Sequence, residues 1–236
     1  MPFGERSVLI QWPAVIDENV LSDIILFKAK IKNKSIKGIV ELNSSYNSLL
    51  IVYDVFIVSF ETMVNELKKL YSQKERSPKF ISKQWKIPVC YDTTFAIDLD
   101  AMAHEKAMST ESIIERHSKT VYTVYFIGFL PGFMYLGGLN EKLYTPRKSM
   151  PRLEIVKGAV AIGGEQTGIY PSESPGGWNV IGNSPIEFFN PKSDVPCFAN
   201  AGDKIVFKRI SLKEYHDIKT LVAAGVYQLE SKVIDD

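Results

Sequence analysis

Between Phe126 and Gly182 the chain reads FIGFLPGFMYLGGLNEKLYTPRKSMPRLEIVKGAVAIGGEQTGIYPSESPGGWNVIG, and this stretch constrains the fold more than any other. It holds eleven of the fifteen glycines and five of the twelve prolines, a density that a generic core does not need. Glycine reaches backbone geometries closed to other residues, and proline locks φ. With Phe, Tyr and Trp interleaved, such a run is costly to hold in one shape. It is therefore expected to form a surface or a site.

Composition sets the frame around that segment. A chain of 236 residues can bury a good core as one or two domains. Hydrophobic and charged contents of 45% and 23% are those of a soluble globular protein. A net charge of +1 gives no broad basic surface, so a nucleic-acid partner is not expected. Leu49–Tyr53 and Val121–Leu130 are too short or interrupted to span a bilayer, so no membrane role is expected either. The first residues lack the pattern of an export signal. Cys90 and Cys197 lie far apart without metal spacing and read as reduced thiols in a cytoplasmic protein.

The chain reads as two domains, 1–80 and 84–236. In the first, Ser7–Trp12 is a short strand, and Val20, Ile24, Phe27 and Ile31 share a helical face. Strands over Lys37–Leu42 and Ser48–Tyr53 flank a turn at Asn43-Ser44-Ser45, and Met63, Val64, Leu67, Leu70 and Tyr71 form a second helical stripe. The order βαββα, with a strand to follow, points to an α+β split-βαβ sandwich. The polar Ser72–Lys83 is the expected connection. Trp85, Ile87, Val89 and Tyr91 then alternate as a strand, Ser109–His117 reads as a short helix, and Val121–Ile127 as another strand. Short apolar runs follow at Ala159–Ile162, Trp178–Ile181, Ile186–Phe189 and Lys204–Ile210, separated by turns, a rhythm expected of a mainly-β, closed structure. Ser211 and Glu214 have capping-box spacing ahead of a closing helix.

Several kinds of chemistry lack their motif. There is no GxxxxGK[ST] or GxGxxG phosphate loop, no metal-type cluster and no GxSxG elbow. His117 closes a helix ahead of the Gly-rich stretch and reads either as a general base or as a helix-terminal residue favoured by the dipole. Arg147 and Arg152, stiffened by Pro146 and Pro151, read as grips for an anion or as surface arginines paired with Glu154 or Glu141. Gly163, Gly164 and Gly168 read as turn positions that let a ligand approach the backbone. Phe129, Phe133 and Tyr135 around Pro131-Gly132 read as a pocket wall, a barrel cap or a protein interface.

GFLPGFMYLGGL (128–139), PRKSMPR (146–152), GGEQTGIYP (163–171) and SPGGWNVIG (174–182) stand in the order and spacing of one family. The chain resembles the B subunit of bacterial 5-oxoprolinase, also described as the first subunit of allophanate hydrolase and as the kinase inhibitor KipI. Residues 153–158, LEIVKG, depart from a Val-Pro-Ala-Gly type segment of that family, with only Gly158 keeping the pattern. The resemblance implies a cyclophilin-like β-barrel for the second domain. It also implies a component, inactive alone, of an ATP-dependent complex with the A and C subunits of 5-oxoprolinase. That complex opens 5-oxo-L-proline to L-glutamate, with Mg-ATP acting at the level of the complex. His117, Arg147 and Arg152 are then the expected catalytic residues. Phe129, Phe133, Tyr135, Gln166, Thr167, Tyr170 and Trp178 are the expected substrate contacts, Gln166 because one amide serves both the C=O and N–H of a lactam. Alternatives that the resemblance leaves open are inhibition of a sensor histidine kinase and a role related to allophanate hydrolase or urea carboxylase.

Overall fold

The computed structural model describes residues 1–73 and 81–235, and the chain divides into two compact units, Met1–Ile81 and Ser82–Asp235. Residues 74–80, within the connection expected from the sequence, lie outside the described residues.

The first unit runs β1 (Ser7–Gln11), α1 (Glu18–Lys34), β2 (Ile39–Ser45), β3 (Ser48–Tyr53) and α2 (Phe60–Ser72). Asp17 caps α1 by accepting from the Asn19 and Val20 N–H groups, and Ser35 ends it in the left-handed region at φ 48°. Leu21, Ile24, Phe27 and Ile31 form its buried stripe, Leu21 taking the place expected for Val20. Met63, Leu67 and Leu70 of α2 bury against the same core as Leu49, Ile51 and Tyr53 of β3. The sheet order is β1-β3-β2, with both pairs antiparallel. The β2–β3 turn is Tyr46-Asn47 rather than Asn43–Ser45. Asn47 ties it down by exchanging backbone and side-chain hydrogen bonds with Trp12, so β2 extends through the serines. The strand after α2 does not complete this sheet as expected. It is β4 (Ile81–Cys90), and it pairs within the second unit.

After β4 come α3 (Leu99–Glu105), α4 (Thr110–Lys119), β5 (Val121–Ile127), β6 (Met134–Gly137), β7 (Arg152–Ile155), β8 (Ala159–Gly163) and β9 (Gln166–Ile169). Then follow β10 (Ser174–Gly176), β11 (Asn179–Asn183), β12 (Lys204–Ile210), α5 (Leu212–Ala223) and β13 (Ser231–Asp235). Seven strands close a mixed barrel in the order β11-β8-β9-β6-β5-β12-β4, sealed where Asn183 meets Cys90. Only the β12–β4 pair in this ring is parallel, while β13 adds to β4, and β7 and β10 form a separate ribbon. Ile186–Phe189, expected as a strand, is irregular: Phe188 is buried by loop packing against Phe198. Ser211 and Glu214 form the expected capping box at the start of α5. No helix among the described residues is long and apolar enough to cross a membrane.

Two layers of core meet at β8. Val160 and Ile162 point into the barrel with Ile87, Val124, Leu136, Ile181 and Phe207. Ala159 and Ala161 point the other way, into a second cluster with Phe133, Ile155, Tyr170, Trp178 and Val180. Burial on both faces explains why the strand reads as an unbroken apolar run.

His117 belongs to the barrel core. It is fully buried and stacks on Phe207 at 4.6 Å between ring centroids. The Thr167 hydroxyl donates to the Ala161 carbonyl at 3.0 Å, so its oxygen accepts the His117 Nε2–H at 2.9 Å. Nδ1 is thereby left bare to accept from the Tyr91 hydroxyl at 2.8 Å. Burial pushes the imidazole pKa down to about 3. The expected general base is therefore a neutral interior link, with both ring nitrogens already engaged.

This burial has a pH signature. An unfolded histidine titrates near ~6.5, so between that value and about 3 the unfolded chain binds the extra proton. Folding stability should then fall as pH drops through this window, by up to ~5 kcal/mol from this group. Urea unfolding at pH 7, 6, 5 and 4 measures it. The slope should flatten in His117→Gln, and an unchanged slope in that variant would contradict the assignment.

Candidate ligand-binding site

The small outward side chains of Ala159 and Ala161 leave room for an aromatic layer beside the barrel. Phe133 sits at its centre, edge-on to Tyr170 at 5.1 Å, to Trp178 at 5.6 Å and to Phe129 at 5.7 Å. Tyr135 packs against it at 4.7 Å and stacks on Phe126 at 4.2 Å. A pocket of about 350 Å³ opens over these rings, walled by Phe129, Phe133, Tyr135, Tyr170 and Trp178, with Arg147 and the 174–177 turn completing it. That volume lies in the range of small-molecule sites, ~300–1,000 Å³.

Trp178 is seated by two glycines. A Cβ built on Gly163 would lie 2.5 Å from its indole ring, and one on Gly168 would lie 3.0 Å from it. The close approach expected of these glycines is thus made by a tryptophan of the same chain. Phe129 adopts φ 70° while largely exposed, a conformation costing a non-glycine residue ~1–3 kcal/mol, so the loop around it is held from elsewhere.

Burial raises the Tyr170 phenol pKa, against the opposing pull of the Trp178 backbone N–H and the Arg147 charge. The phenol is protonated at neutral pH. Arg147 is exposed and, among the described residues, has no carboxylate partner.

Arg152, expected beside Arg147 in catalysis, is instead bound to the buried Asp98, donating from Nη1 to Oδ2 at 2.9 Å and from Nη2 to Oδ1 at 2.6 Å. Lys148 reaches the same carboxylate at 2.8 Å, and the Val180 N–H donates to it at 2.7 Å. Burial alone would raise the Asp98 carboxyl pKa, but these four donors outweigh it and hold the group below the usual carboxylate range. Neither Glu141 nor Glu154 is the partner.

Phe129, Phe133, Tyr135, Tyr170, Trp178 and Arg147 thus meet in one pocket. Thr167 is fully buried, spent on His117 and Ala161, and has no face for a ligand. Gln166 starts β9 opposite Gly163, and its buried Nε2 has no hydrogen-bond partner among the described residues; it is not part of the pocket wall. Asp98 had no motif to mark it. The available signal was a lone acid in the apolar run Phe95-Ala96-Ile97-Asp98-Leu99, far along the chain from the cations it binds.

Residues 1–199 match the family described as carboxyltransferase domain, subdomain C and D. The chain is 34% identical over 226 residues to the B subunit of 5-oxoprolinase from Bacillus subtilis, spanning 92% of this chain and 94% of that protein. It is 37% identical over 207 residues to the B subunit of 5-oxoprolinase from Haemophilus influenzae, spanning 88% and 95%. The chain belongs to the family of 5-oxoprolinase B subunits. Among solved structures it is similar to TTHA0988, with a TM-score of 0.77 at 30% identity, over 87% of this chain and 40% of that longer one. A structural role for Arg152 within this family member is open to direct measurement. Arg152→Ala should destabilise the fold by roughly 3 kcal/mol, because it strips the bidentate partner from a buried carboxylate that keeps only Lys148 and one N–H. Urea unfolding checks this, and wild-type stability in the variant would remove the structural role.

Proposed function

We propose that this chain is the component of an ATP-dependent 5-oxoprolinase that holds 5-oxo-L-proline, with the A and C subunits as partners, while the ring is opened to L-glutamate. The observation that carries this reading is Arg147, a guanidinium without a protein carboxylate among the described residues, set at an aromatic pocket of about 350 Å³. 5-Oxoproline has one carboxylate, a short apolar ring and a lactam group. The carboxylate suits the planar fork of Arg147. The ring suits the faces of Phe133 and Trp178, and the Tyr170 hydroxyl can donate to the lactam carbonyl. The names of the relatives, B subunits of 5-oxoprolinase in two bacteria, support the same reading.

Hydrolysis of an unstrained five-membered amide is uphill, which is the reason to couple it to ATP. The residues lining this pocket do not fit Mg-ATP. Its triphosphate needs several donors, whereas the pocket presents one guanidinium. The phosphate chemistry is assigned to the partner subunits. This chain binds and orients the substrate and keeps its ring against an apolar wall, and His117, sealed in the barrel, is not its base.

Glutamate release from 5-oxoproline with ATP, by this chain alone, by the A and C subunits alone and by all three together, tests the proposal. Activity is expected only in the complete mixture. In that mixture Arg147→Gln should raise the KM for 5-oxoproline at least ~10-fold, the loss of one charge-assisted contact. An assembled but inactive mixture would overturn the proposal, and an unchanged KM would remove Arg147 from the site.

A further inference from the structure

We infer that Asp98 is the positioning residue for Arg147, and that it gives the pocket its selectivity for a ligand carrying a carboxylate. The inference rests on the reading of the aromatic pocket as a ligand site. Three cations, Arg147, Lys148 and Arg152, come from one six-residue stretch, and Asp98 takes two of them. Lys148, next to Arg147 in the chain, is held through its side chain by Asp98 and through its backbone N–H by the Gly177 carbonyl at 2.7 Å. Arg152 is held by both carboxylate oxygens. Asn179 fixes the near side of the stretch by donating to the Pro146 carbonyl at 3.0 Å.

Asp98 is anchored in turn. Its carboxylate accepts from the Val180 N–H, and its own N–H donates to the Val180 carbonyl at 3.0 Å. Asn179, Val180 and Gly177 flank or belong to the strand and turn that carry Trp178, so the stretch bearing Arg147 and the aromatic wall share one frame. The other two cations of the stretch are consumed by a carboxylate that is almost wholly buried, and the Arg147 guanidinium is the one left for a ligand anion.

The test compares carboxylate probes with neutral counterparts of similar shape, by titration calorimetry on the full chain. One pair is 5-oxoproline and 2-pyrrolidinone; the other is benzoate and benzamide, which suits an aromatic wall whatever the natural substrate. The wild type should prefer the acid roughly ten-fold in at least one pair, the size of a single charge-assisted contact. Asp98→Asn should cut that preference to within about two-fold while leaving affinity for the neutral probe unchanged, a difference below the ten-fold step of one contact. Asp98→Glu keeps the charge but displaces the carboxylate by one methylene, and it should lose the preference in the same way even where Asp98→Asn fails to fold.

A preference that survives in either folded variant would overturn the inference. So would a parallel loss of both probes, which would mark Asp98 as support for the whole pocket, and so would a wild type without preference in either pair. Preference for benzoate with no response to 5-oxoproline would instead sink the substrate reading and leave the positioning inference standing.

Discussion

Burial of β8 on both faces is the constraint from which the rest of the second unit follows. A strand with apolar side chains on each side needs two cores, and the barrel can supply only one. The other is the Phe133, Ile155, Tyr170 and Trp178 layer, and alanines at 159 and 161 make it possible by leaving space where larger residues would fill it. The pocket is what remains between that aromatic layer and the loops closing over it. Stability and binding surface therefore come from the same packing, and the glycines under Trp178 serve both at once.

Two of the polar groups buried in this apolar frame, His117 and Asp98, are fully supplied with partners, as the cost of stranding such groups demands. His117 runs a hydrogen-bonded line from Tyr91 to the Ala161 carbonyl through Thr167, bridging α4 to two barrel strands. Asp98 gathers two cations and a backbone N–H, joining the start of α3 to β11 and to the stretch that precedes β7. One network is neutral and sealed. The other is ionic and sits beside the pocket, where Lys148 and Arg152 remain about one-third exposed. That difference separates a group that maintains the barrel from one that can set the charge of a neighbouring site.

Local pattern decided a good deal of this protein. The stripe on α1, the alternation in β3 and β4, the limits of β5 and β12 and the capping box of α5 all follow from side-chain period and capping chemistry, which act over a few residues. The aromatic residues of the pocket stood out because Gly and Pro are dense around them, and close approach to a ring leaves that mark in sequence. The four motifs were also enough to indicate the family.

Tertiary structure alone decided which polar residues are available. His117, Thr167 and Arg152 resemble site residues in sequence, yet their functional groups are consumed by Tyr91, Ala161 and Asp98, partners that lie 26, 6 and 54 positions away. The same holds for β4, which alternates as a strand should but pairs in the barrel rather than in the first sheet. Sequence period determines what an element is and which face it buries, because those depend on neighbouring residues. Which strand it joins, and which charge its side chains meet, depend on atoms brought together only when the ring closes.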